Sequence, residues 1–241
     1  RALNEEEIKR LYRMGSTFYV NSPKTYQLTD GLVGYWTFDS KDTSMYLGTT
    51  TTVFDKSGQG NTGTIRNDAK VVKGKLGQAL EFDGSNDYVY VADDASLDLT
   101  NNFTITSWVN VRSFSSDGGV VSKVPSGEYY VSIFTDGKIS FENFLNGPNY
   151  STTALLSNTW YHIAVIASGS TVSFYLNGRA DGTASYTTVS ASSNAVKIGV
   201  RDPAGASGFD NWFNGLIDDV RVYNRALNEE EIKRLYRMGS T

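Results

Sequence analysis

The chain of 241 residues has no cysteine. Disulfides, thiolate metal sites and thiol nucleophiles are therefore excluded, and the fold must hold without them. Only one histidine is present, His162. No run approaches the roughly 18 apolar residues of a membrane-spanning helix, so membrane insertion is not expected. Positive charge is also short: 22 Lys and Arg face 26 Asp and Glu, for a net charge of −4. Such a chain is not built to neutralise phosphates, and no nucleic-acid partner is expected. The opening residues are acidic and helical, unlike a signal peptide, so any secretion signal is expected outside this stretch. What is abundant is glycine (23) and tyrosine (15), which favour tight turns and strands.

Arg225–Thr241, RALNEEEIKRLYRMGST, repeats Arg1–Thr17 without a change. From Arg1 to Arg225 the offset is 224 residues, the size of a whole domain rather than of a short solenoid repeat. One period of a tandem array is the simplest reading; a domain bracketed by two copies of a sticky helix is the other. The segment spells a short helix. Asn228 is an N-cap, Glu231 completes a capping box, and Leu227 can staple onto Ile232. Glu229, Glu230 and Glu231 suit the positive end, Lys233, Arg234 and Arg237 the negative end, and Gly239 a stop. Ile232, Leu235 and Tyr236 form one apolar stripe; Leu3, Ile8, Leu11 and Tyr12 are its counterparts at the start of the chain. About ten residues are too few for an isolated helix, so each stripe must dock on something. The C-terminal copy can dock on its own domain. The N-terminal copy is expected to contact an adjacent copy of the repeat, head to tail.

Residues 18–30 read as a semi-rigid joint, broken at Asn21-Ser22-Pro23. Strands follow in close order. Gly31–Asp39, Ala79–Ala92, Phe103–Val111, Gly118–Lys123, Tyr129–Thr135, Lys138–Phe144, Trp160–Ala167, Thr171–Leu176, Val196–Val200 and Leu216–Tyr223 alternate or run apolar. Asn177-Gly178 is a strong hairpin signal. About a dozen strands with no amphipathic helix between them predict an all-β, two-sheet antiparallel sandwich, large enough for jelly-roll topology, with short terminal α-helices. The expected organisation is 1–17 as the terminal helix of a preceding repeat, 18–30 as linker and 31–241 as the domain.

Several stretches, in order, resemble the laminin-G-like (concanavalin A-like) jelly-roll domains of bacterial surface proteins. They are GLVGYWTFD at Gly31–Asp39, the Asp55–Gly63 loop, ALEFDGSNDYV at Ala79–Val89, Phe103-Thr104 with Trp108, Trp160-Tyr161-His162, Phe174-Tyr175 with Asn177-Gly178, and Gly215–Leu227. The resemblance covers roughly Gly31 to Tyr236. It implies two curved sheets, an extracellular or cell-surface setting, tandem copies, sugar or protein ligands and often a calcium ion. It does not imply one function.

Calcium requires several hard oxygens. The candidates are Asp39, Asp55 with Asn61, Asp83 and Asp87, and Asp218 with Asp219. Asp218 shares alternation parity with Val220 and Val222, which places a carboxylate toward the core. Asp39 and Asp218 are expected to meet, because the first and last strands commonly adjoin in such domains. The competing reading is that these aspartates cap turns through the backbone. His162 lies in an apolar strand and reads as structural. Glu81-Phe82-Asp83 only partly matches the paired carboxylates of a β-glucan hydrolase, and Gly84 with Asn86 breaks the pattern. The chain therefore reads as not an enzyme. Loop aromatics that could stack on sugars are Tyr129, Tyr130, Phe144, Tyr150, Phe209 and Trp212, although Trp212 and Phe213 also suit the core. Trp36, Trp108 and Trp160 read as core. Two functions follow: a structural or adhesive repeat of a large surface protein, or a lectin-like module that binds glycans.

Overall fold

A computed structural model describes residues 27–46, 49–124, 129–143, 146–187, 191–201 and 211–240, together with Glu5. The chain divides into two units, residues 1–30 and 31–241. The expected first helix over 1–17, with Leu3, Ile8, Leu11 and Tyr12, lies outside the described residues. So does the joint up to residue 26.

The second unit is a sandwich of two antiparallel sheets, its strands numbered in chain order. The first sheet runs β15 (Arg179–Ser185), β14 (Thr171–Leu176), β13 (Trp160–Ser168), β8 (Asn102–Val111), β17 (Asn214–Tyr223), β6 (Gln78–Asp83) and β5 (Lys70–Lys73). β1 (Leu32–Trp36) also pairs with β17. The second runs β12 (Asn146–Ala154), β11 (Lys138–Asn143), β10 (Tyr129–Ile133), β9 (Gly118–Lys123), β16 (Val196–Ile198), β7 (Tyr88–Val91), β4 (Gly63–Arg66), β3 (Thr49–Val53) and β2 (Thr43–Tyr46). Alternation explains the layering. Phe103, Ile105 and Val109 of the first sheet face Val131, Ile139 and Phe141 of the second in one apolar core. Trp36 and Phe38 are fully buried in it, as their shared parity predicts.

β17 is the spine of the first sheet. One edge pairs with β8; the other pairs with β6 through Asn214–Ile217 and with β1 through Val220–Tyr223. Between those partners the register shifts, and Asp219 takes φ of 51°. This bulge overturns the parity expected for Asp218. Asp218 pairs with Trp108, not with an inward residue, and both point to the outer face while Ile217 and Val220 point to the core.

The C-terminal helix α1 (Glu229–Met238) forms as its sequence predicts. The Asn228 side chain accepts from the Glu231 N–H at 3.0 Å, and the Asn228 N–H donates to Glu231 Oε2 at 2.9 Å. Arg225 grips the same glutamate with both guanidinium arms, at 3.0 and 2.6 Å. The Thr104 hydroxyl donates to the Arg225 carbonyl and accepts from the Leu227 N–H, each at 2.9 Å, fastening the helix entry to β8. Asn228→Ala should cost about 1 kcal/mol in urea denaturation, the usual value of an N-cap; no change would show that Arg225 alone holds Glu231. Gly239 ends the helix for a packing reason. Its φ is −107°, and a Cβ there would lie 2.6 Å from the Trp108 ring.

Candidate functional site

The outer faces of the two sheets differ. That of the first sheet is closed by α1. His162 pairs with Trp108 across β13 and β8, and the two rings lie 5.4 Å apart. Tyr236 stacks on Trp108 at 5.7 Å, and Ile232 and Leu235 are buried. Burial pushes the His162 imidazole down to about 3, so it stays neutral and packs, in keeping with the structural reading. Trp108 is thus buried beneath the helix rather than in the inter-sheet core, and Trp160 is only half-buried.

The outer face of the second sheet is polar and aromatic. Its registers place Glu142, Tyr130 and Ser122 in one cross-strand row, and Tyr150, Ser140 and Ser132 in the next. Arg201, just past β16, pairs with Glu142 at 3.2 Å and lies 4.8 Å over the Tyr130 ring. Asn211 Nδ2 reaches the Tyr130 hydroxyl at 3.4 Å, and Trp212 beside it tilts against Tyr88 at 6.0 Å. Tyr150 is 37% exposed and meets Phe134 edge to face at 5.0 Å. Burial holds the Glu142 and Asp117 carboxyls above their ordinary range. The Ser140 hydroxyl is buried with no hydrogen-bond partner, and the Ser132 hydroxyl is buried beside that of Tyr130.

Of the six loop aromatics expected to stack on sugars, three lie at this face, with different fates. Tyr150 offers an open ring. Trp212 is half-buried at the margin of the same face, while its neighbour Phe213 joins the core. Tyr130 is 1% exposed, so it supports the face from beneath and is no stacking platform. Tyr129 points into the core, and Phe144 and Phe209 lie outside the described residues. Glu142, Arg201 and Asp117 were not singled out from sequence. They are isolated charges far apart in the chain, and only strand order brings them together.

The expected calcium ligands are spread over the molecule. Asp55 Oδ1 accepts the N–H groups of Tyr35 (2.9 Å) and Ser57 (2.8 Å); Oδ2 accepts the Ser57 hydroxyl (2.7 Å) and the Asn61 N–H (2.9 Å). Asn61 is buried and donates to the Val33 carbonyl and the Ser96 hydroxyl. Asp219 is forked by Arg221 at 3.0 and 3.1 Å. Asp83 caps its turn through the Ser85 N–H, and Asp87 accepts from the Asp68 and Asp83 N–H groups. Asp39 and Asp218 do converge, on the turn joining β5 to β6. Asp39 accepts the Gln78 N–H at 2.8 Å, and Asp218 Oδ2 accepts those of Lys75 and Leu76 at 2.8 and 2.7 Å. Most of these oxygens already face donors, and among the described residues no three His, Asp or Glu side chains gather to hold a cation. The backbone-capping reading describes most of these aspartates.

Asp218 Oδ1 is buried without a partner, and burial, with the charges of Asp219 and Asp39, pushes the carboxyl up to about 7. Above roughly pH 4, where the unfolded carboxyl has lost its proton, the folded one retains it. The neutral acid's stabilisation is thus complete below pH 4 and is lost as the pH rises through 7. Asp218→Asn keeps an acceptor for the two N–H groups and removes the titration. Relative to wild type, the variant should gain about 2–4 kcal/mol between pH 4 and 8 in denaturant titrations. Parallel pH profiles would refute the assignment.

The Glu81–Asp83 stretch shows no paired acid and base. Glu81 is held by Arg112 at the surface, and Asp83 is occupied with its turn. Two shallow grooves lie elsewhere. One, of about 420 Å³, lies between the β14–β15 hairpin and α1 and is lined by Asn177, Arg179, Asp181 and Tyr236. The other, of about 210 Å³, is lined by Asp98, Thr100, Asn101, Asn102 and Asn224. Among the described residues no helix is long and apolar enough to cross a membrane.

Known proteins share this pattern and architecture. Residues 83–233, more than half the chain, match the sequence model of the concanavalin A-like lectin/glucanases superfamily. A curated relative is the adhesion G-protein coupled receptor V1 of Danio rerio, 25% identical over 150 residues. That match takes in 56% of this chain and 2% of the receptor. Among solved structures, the binding domain of Paraclostridial Mosquitocidal Protein 1 is similar at a TM-score of 0.67 and 18% identity, over 87% of this chain and 52% of that one. Domain 4 of AbnA, an extracellular arabinanase from Geobacillus stearothermophilus solved with arabinotriose, gives 0.68 and 20%, over 85% and 98%. The binding domain of botulinum neurotoxin DC in complex with SialylT gives 0.65 and 12%, over 89% and 53%. The chain thus spans about half the length of the two toxin binding domains. At these identities the structural likenesses establish the fold.

Proposed function

The chain belongs to the concanavalin A-like lectin/glucanase superfamily, and on that footing we propose that it is a non-catalytic, extracellular carbohydrate-binding domain, repeated head to tail in a larger surface protein. The observation that carries the binding reading is the outer face of the second sheet. An open Tyr150 ring suits a sugar ring's apolar face. The half-buried Glu142–Arg201 pair and Asp117 suit the hydroxyls around it. The arabinanase domain solved with arabinotriose supports the ligand class by fold alone. The duplicated end segment supports the repeat, and repetition would convert weak single-site binding into avidity.

A broad array of polysaccharides and oligosaccharides, probed with the intact chain, tests the reading. The expected result is binding to a related group of glycans with no release of reducing ends. Silence across the array favours the purely structural repeat, and turnover would overturn the non-catalytic assignment.

A further inference from the structure

The seat under α1 is built from Thr104, Trp108, His162 and Gly178. It receives Leu227, Ile232, Leu235 and Tyr236 of the C-terminal segment. Every residue of that segment recurs at an offset of 224: Leu3, Ile8, Leu11 and Tyr12 replace the four just named, with Arg1, Asn4 and Glu7 in the places of Arg225, Asn228 and Glu231. A seat that accepts one copy has no physical means of refusing the other. We propose that this seat is an interaction surface for a second copy of the chain, which docks its N-terminal segment, residues 1–17, where α1 sits.

Three observations carry the proposal. The segment carries its own cap and stripe, so it can fold as a unit on arrival. It follows β17 and belongs to neither sheet, so it can leave the seat without unpairing a strand. Seating the segment in trans also reproduces the junction of a tandem array. In such an array the residue after Thr241 of one repeat would be the counterpart of Phe18 of the next; a docked residue 17 is followed by Phe18 of the neighbour. The contact is heterologous, so it propagates head to tail and does not close. The cis helix normally wins, because its tether gives it an effective concentration on the order of millimolar. Exchange therefore becomes visible when the cis copy is weakened. This inference rests on the duplicated segment and not on the glycan reading, so either can fail alone.

The test uses the full chain. Ile232→Asp/Leu235→Asp breaks the C-terminal stripe and leaves the N-terminal one intact. Light scattering across a roughly hundredfold concentration range should show its mean mass rising several-fold. Adding Ile8→Asp/Leu11→Asp should return it to monomer. The proposal fails if the first variant stays monomeric throughout, which includes the case of its own N-terminal copy filling the seat. It also fails if the fourfold variant associates equally, because the exposed face is then merely sticky. Should the aspartates prevent folding, Leu235→Ala with and without Leu11→Ala makes the same comparison, with the same two outcomes for and against.

Discussion

Replacing Arg221 by leucine is expected to cost about 3–5 kcal/mol of folding stability, the range seen when one partner of a buried ion pair is removed. Arg221 is 4% exposed. It forks Asp219, donates to the Tyr35 hydroxyl at 2.9 Å and lies 4.1 Å over that tyrosine's ring. Leucine would leave the Asp219 carboxylate buried beside Tyr35 and Asp218 with no counter-charge. It would also release the bulge at which Asp219 holds a positive φ. The loss belongs mainly to the stranded charge, so adding Asp219→Asn should recover most of it. Asparagine tolerates the left-handed backbone and needs no cation. Urea denaturation of the two variants checks both statements. A single-variant loss under about 1 kcal/mol would mean that the pair is screened as a surface pair is.

Removing the Tyr150 ring should weaken glycan binding roughly 10–100-fold, the typical effect of truncating an aromatic anchor at a binding hot spot. The ring is open on one side and braced by Phe134 on the other, so it is presented without having to be ordered first. Arg201→Ala should act through a neighbour. It strips the counter-charge from Glu142, whose carboxyl burial already holds high, so that acid would keep its proton to still higher pH and accept sugar hydroxyls less well. Glu142→Gln should imitate it. Because Tyr150 is substantially exposed, Tyr150→Ala should leave stability within about 0.5 kcal/mol of wild type. Titration of each variant with the best ligand from the array measures the effect. Undiminished affinity for all three would move the site away from this face.

The fold was legible where packing on both sides disciplines the pattern. β8, β13 and β17 lie inside their sheet and read from their alternation, and the Asn177-Gly178 turn shows both residues at positive φ, 51° and 76°. The strands missed from sequence include all four sheet edges: β5, β15, β12 and β2. An edge strand has one neighbour and much of its surface in water, so KVVK or RADGTAS needs no apolar period. β3, beside the β2 edge, was missed for the same want of pattern, since TTTTV alternates nothing, and the four-residue β4 next to it was missed as well.

The sites divide similarly. Asp39 and Asp218 both accept N–H groups at the β5–β6 turn, but Asp218 lies on the outer face rather than the core face, because a one-residue bulge reverses the parity across it. The C-terminal stripe was read correctly as needing a seat, and Ile232, Leu235 and Tyr236 find it on their own sheet. The Glu142–Arg201–Asp117 group carried no local signal. Glu142 and Arg201 lie far apart in the chain, and nothing but the order β11-β10-β9-β16 makes them neighbours.

Hydrogen exchange, followed residue by residue with and without a bound oligosaccharide, is the sharpest trial of the proposed binding face. Ligand should slow exchange in β10, β11 and β12 and around Arg201, and leave α1 and the β14–β15 hairpin unchanged. Protection confined to the groove beside Tyr236, or absent from the second sheet altogether, would show that glycans are not held there.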